Sequence, residues 1–386
     1  MEKGFRSYSS RRTSLAIEVC RVKLYKLKMS LKSFFETSFG KTVWKHCIIV
    51  EINDVDGYTG WSEIVAGEGP WYSYETVETA WHIVSAYIVP LLLKRKIESI
   101  KEYMEMVKPI RGHNMAKAGI EMALWDIMAK RNGISLSKMI GGERDRIVSG
   151  VSIGIQKNIK ILLKIIEDYL EQGYSRIKVK IKPGWDIDVI ENIRNNFPDI
   201  KLQVDANAAY TLNDINVLKE MDKYNLLMIE QPLYYDDIID HSKLRKKLDT
   251  PICLDESIKT PYHAEKAIEI NSCNVINIKP GRVGGIINSL EVYNLCVKNG
   301  LGVWIGGMLE TGIGRAYLVA LASLSKISYP NDISASNRYF EKDIVNPEWR
   351  LNKDGTISVP DKPGIGVNID IDELNKWTIK INKFAK

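Results

Sequence analysis

Five charged residues recur at a near-constant interval through the middle of the chain. Lys180, Asp205, Glu230, Asp255 and Lys279 are separated by 25, 25, 25 and 24 residues. Each ends a short apolar run, in RIKVK, KLQVD, LLMIE, PICLD and VINIK. Any one of these acids alone would be an ordinary solvated strand-end residue. Three carboxylates brought to one recess repel each other, and a hard divalent cation removes that cost. Three carboxylate oxygens with waters and a bidentate ligand suit octahedral Mg²⁺, with Mn²⁺ possible. Lys178 and Lys180 are two apart on a strand and therefore point the same way. Such a Lys-x-Lys strand is ordinarily a solvated edge. Beside a second lysine and a cation the charged form is disfavoured, so the pKa is expected to fall and the amine becomes usable as a general base. Lys279, four steps along the same ruler, is expected on the far side. Two lysines on opposite faces of one carbon could remove a proton from one side and return it to the other. The cation would meanwhile hold a carboxylate and stabilise the enediolate.

A strand of about five residues, a helix of about eleven and two loops account for a period near 25. Extending the ruler one step each way lands on Ile155 and Trp304, both in apolar runs. From about residue 150 the chain alternates strand and helix patterns. VSIGI is followed by NIKILLKIIEDYLEQG, with Ile159, Leu162, Leu163, Ile166 and Leu170 on one face and Gly173 as a stop. RIKVKI is followed by DIDVIENIRNNF, with Asp186 as N-cap. Such alternation implies parallel βαβ units. In an open sheet the five side chains would form a long row, whereas a closed barrel gathers them at its C-terminal mouth. The N-terminal region differs. Residues 16–28 and 43–52 alternate as strands, Asp54–Gly60 reads as a turn into WSEIVA, and helices are expected over 75–93 and 115–131. This is an α+β unit.

Composition narrows the function. The 386 residues suffice for two domains. The 54 basic and 48 acidic residues are mixed along the chain, so no nucleic-acid footprint is expected. No apolar run approaches the roughly 20 residues of a membrane span. The first fifteen residues are polar and lack the apolar core of a secretory signal. We read them as a disordered tail or as a start site placed too far upstream. Five cysteines, odd in number and without a CxxC, point to a reducing cytoplasm. None of the five histidines sits at metal-ligand spacing or on the ruler, so acid/base work falls to lysine.

The chain resembles the enolase superfamily, in its muconate-lactonizing-like branch, and within it the o-succinylbenzoate synthase / N-acylamino acid racemase family. The resemblance rests on RIKVKIKPGWD, LQVDANAAYT, LLMIEQPL, ICLDES, VINIKPGRVGG, WIGGMLETGIGRA and NDISAS, and runs from about residue 16 to the C-terminus. It implies an α/β fold, a modified TIM (β/α)7β-type barrel with an α+β capping domain built from the N-terminal region and the C-terminal segment. The expected division is a polar tail 1–15, a cap 16–135, a barrel 136–345 and a returning segment 346–386. By position, Lys180 and Lys279 match the family's acid/base lysines, and Asp205, Glu230 and Asp255 match its Mg²⁺ ligands. Lys178, Asn207 and Arg282 are expected around them. Ser152, Gly307 and Met308 match substrate-facing positions. If Arg282 lies close, its charge would lower the Lys279 pKa; otherwise it is a salt-bridged rim residue. Lid loops are expected near Phe34–Phe39 and Gly67–Tyr72. Ser62 stands where relatives often have Gly. After the seventh strand there is only Asp332-Ile333-Ser334 and no Asp-x-Asp, which weakens a dipeptide-epimerase reading.

The resemblance implies a small-molecule carboxylate substrate and a homo-oligomer. The first activity it implies is dehydration of a succinyl-bearing hydroxycyclohexadiene carboxylate to o-succinylbenzoate, on the route to menaquinone. The alternative is racemisation of N-succinyl or N-acyl amino acids, and one pocket could do both. A muconate cycloisomerase-like enzyme, a Schiff-base barrel lyase and a non-catalytic metal-binding barrel are the remaining readings.

Overall fold

Alternation of apolar and polar residues builds an antiparallel sheet at the start of the chain. The computed structural model describes residues 16–386; the expected polar tail 1–15 lies outside the described residues. Strands β1 (Val19–Thr37), β2 (Gly40–Asp54) and β3 (Thr59–Ile64) pair in sequence order. The C-terminal strand Thr378–Ala385 pairs with the other edge of β1, so the end of the chain completes the cap sheet. β1 and β2 run well past the 16–28 and 43–52 segments expected from sequence. They form one long hairpin with its tip at Ser38-Phe39, in place of the expected loop. The register slips between Ser30 and Phe35, and that irregularity breaks the period-two signal by which a strand is read.

The expected helix over 75–93 is divided. Val77–Ile83 is α-helical behind a Thr76–Thr79 capping box, Val84–Ile88 forms a π-turn, and Val89–Leu93 resumes the α-helix. Pro90 lacks an N–H and crowds the carbonyl four residues earlier, and the wider turn accommodates it. A further helix, Ile100–Val107, is not among the expected elements, although Ile100, Tyr103, Met104 and Val107 share one face behind the Ser99 N-cap. The expected 115–131 helix is present as Asn114–Arg131 and is buried along most of its length.

The short strand β4 (Arg146–Val148) pairs with Thr356–Ser358. Seven parallel strands follow: β5 (Val151–Ile153), β6 (Ile177–Lys180), β7 (Leu202–Asp205), β8 (Ile229–Glu230), β9 (Ile252–Leu254), β10 (Val275–Ile278) and β11 (Gly302–Ile305). Helices alternate with them, and Asp186 caps Ile187–Asn196 as expected. Residues 328–332 close the ring. Ser328 N and Asp332 N donate to Val303 and Ile305 of β11, while Gly150 N donates to Asn331 O and Asn331 N to Val148 O. The seven strands plus this irregular eighth segment are the (β/α)7β barrel. No helix among the described residues is long and apolar enough to cross a membrane.

Equal spacing proves not to be equal register. Lys180 pairs with Asp205 and Asp205 with Glu230, but Glu230 pairs with Cys253, which sets Asp255 two residues further on. Leu254 pairs with Ile276, so Lys279 lies two residues beyond the partner of Asp255. Even offsets preserve side-chain parity, so all five point inward. The tilt of strands in a closed barrel turns such a stagger into comparable height. Of the two ruler extensions, Trp304 falls inside β11, and Ile155 lies just past the end of β5.

Cap and barrel are joined through a buried carboxylate. Glu121, on the Asn114–Arg131 helix, accepts from Ile286 N at 2.9 Å, Ile287 N at 3.0 Å and Trp125 Nε1 at 2.8 Å, and so holds the start of the Ile286–Lys298 helix. Burial pushes its carboxyl up to about 7 although these donors and the helix N-terminus favour the anion. A carboxyl with a raised folded pKa binds more protons folded than unfolded between its two pKa values. Its contribution is fully present below the unfolded value and is lost as pH rises through about 7. Thermal unfolding should therefore show a loss of about 1–3 kcal/mol from this group on going from acid to pH 8. Glu121→Gln should flatten that slope; an unchanged slope would contradict the assignment.

Candidate active site

The barrel mouth and the cap enclose a cavity of about 390 Å³. Lys178, Lys180, Lys279, Ser152, Asn207, Gly307 and Met308, all named from sequence, line it. Phe35 and Phe39 from the hairpin tip, and Gly67, Trp71 and Tyr72 from the second lid segment, line its upper wall. Asp205, Glu230 and Asp255 lie beneath this lining and are almost wholly buried, as the inward parity of β7, β8 and β9 requires.

The strands hold each basic group against a carboxylate. Lys180 Nζ donates to Asp205 Oδ2 at 2.6 Å and to Asn207 Oδ1 at 2.7 Å. Lys178 Nζ lies 2.8 Å from Glu230, 3.2 Å from Asp205 and 2.5 Å from Asp332. Lys279 Nζ donates to Asp255 Oδ2 at 2.7 Å and sits 4.5 Å from the centre of the Tyr72 ring. Tyr72 Oη donates to Asp255 Oδ1 at 2.9 Å, and Arg282 Nη1 contacts the same oxygen. Arg282 is buried behind the site and does not line the cavity, so the rim alternative is set aside.

The protein's own acids, in direct contact, raise Lys178 and Lys279. Burial works against charge on Lys178, but Asp332, Glu230 and Asp205 outweigh it and hold the amine well above its ordinary value. Burial is likewise outweighed at Lys279, by Asp255 first, and Arg282 offsets only part of this. The expected fall includes the charge of a bound cation, against which these acid contacts work. Those acids are split. Burial opposes ionisation of Asp205, yet Lys180 and Lys178 carry it below the usual carboxylate range; Lys279 and Arg282 do the same for Asp255. Glu230 goes the other way, pushed up to about 8 by burial and then by Asp205.

Among the described residues no three acid, histidine or cysteine side chains form a ready-made cation cage. The three acids are each turned to a basic side chain or amide. The donor set still fits a hard cation. It offers carboxylate oxygens on three neighbouring strands. Glu230 is raised by burial first and by Asp205 second, and a cation would offset the second.

Several partners are not singled out by the sequence pattern. Gln203 Nε2 and Asn277 Nδ2 donate to Glu230 at 2.8 and 2.7 Å. Each lies two residues before a ruler position, as Lys178 does, so parity alone could have found them. Asp332, expected only as a sign against dipeptide epimerisation, is half-buried between Arg176 and Lys178 at the cavity and is held down to about 2, desolvation being outweighed by Arg176 and Lys178. One more step of the ruler past Trp304 falls three residues short of it. The closing segment is irregular, so no strand pattern marks it. Ser62, noted in the sequence, is a cap tie: its Oγ donates to Gly119 O at 2.5 Å.

Residues 162–374 match the family model described as enolase C-terminal domain-like, and residues 20–141 match the mandelate racemase / muconate lactonizing enzyme N-terminal domain. An o-succinylbenzoate synthase of Geobacillus stearothermophilus is 49% identical over 372 residues, 96% of this chain and 98% of the relative. An N-succinylamino acid racemase of Thermus thermophilus is 41% identical over 365 residues, 95% of this chain and 98% of the relative. A solved enolase-superfamily member from Listeria innocua superposes with a TM-score of 0.92 at 42% identity, covering 96% of this chain and 99% of that one. The superfamily consists of divalent-metal-dependent enzymes acting on small molecules. The chain belongs to the enolase superfamily, in the family of the o-succinylbenzoate synthases and N-succinylamino acid racemases.

Proposed function

We propose that the protein is an o-succinylbenzoate synthase whose pocket also supports N-succinylamino acid racemisation. The observation that carries this is the placement of Lys180 and Lys279 on one cavity, four strands apart in an eight-membered ring, above three buried carboxylates. Asp205, Glu230 and Asp255 would hold Mg²⁺, or Mn²⁺, and the bound cation would offset the charge gathering on a substrate carboxylate as its α-proton leaves.

Lys180 enters the step as the free amine, oriented by Asp205 and Asn207, and takes the proton α to the carboxylate. Its ammonium then protonates the hydroxyl leaving from the same face, so one proton and one hydroxide depart as water. The ring becomes aromatic. Lys279, held charged by Asp255, steadies the intermediate from the opposite side. In racemisation the same Lys279 ammonium delivers a proton to the far face instead. A cavity of this size suits a small acid with one side chain. The reading includes a homo-oligomer in the cytoplasm, in keeping with five unpaired cysteines among the described residues. Purified protein with added Mg²⁺ is to be assayed on both substrates in parallel. Dehydration and racemisation are both expected; inactivity on one would remove that activity from the reading, and inactivity on both would refute it.

A further inference from the structure

The lid hairpin reaches the Lys180 side of the site through one hydroxyl. Ser38, at the hairpin tip, donates its Oγ to Asn207 O at 3.1 Å. Asn207 in turn accepts from Lys180 Nζ through Oδ1 and donates through Nδ2 to Glu256 Oε1 at 2.8 Å. With Nδ2 committed to Glu256, Oδ1 must face the lysine. Asn207 and Ala208 both have positive φ, 43° and 62°. This turn is costly for residues with side chains and persists only where its surroundings hold it. Asn207 N donates to Asp205 Oδ1 at 3.0 Å and Ala208 N to Gln231 O at 2.8 Å, which brace it from the barrel side. Ser38 braces it from the cap side.

The hairpin is seated for this contact at two further points. Ile155 N donates to Glu36 O at 2.9 Å, and Lys32 N to Tyr339 O at 2.9 Å. Beside the first, Gly154 packs directly on the hairpin backbone. A Cβ there would lie 2.7 Å from both Glu36 N and Glu36 O, so only glycine lets the hairpin sit this low. The Phe35 ring, next in line, stands 5.9 Å from Lys180 Nζ. The second lid segment has no part in this chain of contacts; its Tyr72 lies on the Lys279 side.

We infer that Ser38 is a positioning residue for Lys180, acting through the Asn207 backbone, and that Gly154 permits the docking that brings it there. Closing the hairpin then does more than cover substrate: it completes the hydrogen bonding that aims the base. The inference rests on the functional reading above, in which Lys180 moves the α-proton.

Steady-state dehydration by the full-length protein with Mg²⁺ tests it. In Ser38→Ala, kcat should fall about tenfold with KM changed by less than about twofold, since a misaimed base weakens the chemical step and not substrate capture. Ser38→Thr keeps the hydroxyl and should restore kcat. Gly154→Ala should lower kcat in the same direction by lifting the hairpin. A raised KM at unchanged kcat would reduce the hairpin to a cover and overturn the inference, as would wild-type kinetics in Ser38→Ala. If the wild type does not dehydrate, the same variants are read by α-proton exchange on an N-succinyl amino acid in D₂O. A wild type inert in both assays ends the functional reading and the inference with it. An active wild type with an unaffected Ser38→Ala ends the inference alone.

Discussion

Lys180→Met lowers dehydration turnover by about 10²–10⁴-fold, the usual worth of a positioned general acid or base. The amine is asked to take a proton and then to give one back, and methionine fills a similar volume without doing either. The fold should survive the change. Asp205 loses its contact at 2.6 Å but keeps Lys178 at 3.2 Å, so no buried carboxylate is left without a counter-charge. Thermal unfolding recorded beside the kinetics separates loss of chemistry from loss of structure. Full activity in a folded Lys180→Met protein would remove the base from the account.

Lys279→Arg separates the two activities. Arginine keeps the positive charge beside Asp255 but is not deprotonated in proteins. Racemisation needs the group at this position to exchange protons and should fall by about 10²–10⁴-fold. Dehydration needs only a positive charge there, because aromatisation makes the step one-sided, and should be largely retained. The bulkier guanidinium must share its place with Arg282, which already contacts Asp255 Oδ1. Lys279→Met controls for crowding: it should lose racemisation too, and lower dehydration more than the arginine variant if charge is what Lys279 supplies. Racemisation surviving in Lys279→Arg would sink the two-base assignment.

The barrel is legible in the sequence because a βα unit has a nearly fixed length, so spacing alone marks five inward-facing positions. The spacing succeeds for a reason it does not contain. Asp255 and Lys279 sit at offset register, and the even offset with strand tilt brings them inward. It fails where no regular strand exists. Asp332 lies on the irregular closing segment 328–332, and its role as partner of Lys178 and Arg176 leaves no periodic trace. The cap hairpin reads short in the sequence because a register slip between Ser30 and Phe35 interrupts alternation. Charge states are the least legible feature. A spacing of residues names which groups meet, but the direction of a pKa shift depends on contacts of a few ångströms. Lys178 and Lys279 are raised by the acids that are their nearest neighbours, contacts that spacing does not show.

The central claim is that two lysines facing one cavity move the α-proton of a carboxylate substrate. The most direct measurement is NMR of an N-succinyl amino acid incubated with the purified protein and Mg²⁺ in D₂O. The account predicts loss of the α-proton signal in both enantiomers for the wild type. Lys180→Met should stop exchange of one enantiomer and Lys279→Arg that of the other. Exchange of neither enantiomer by the folded wild type, or of both by either variant, would contradict it.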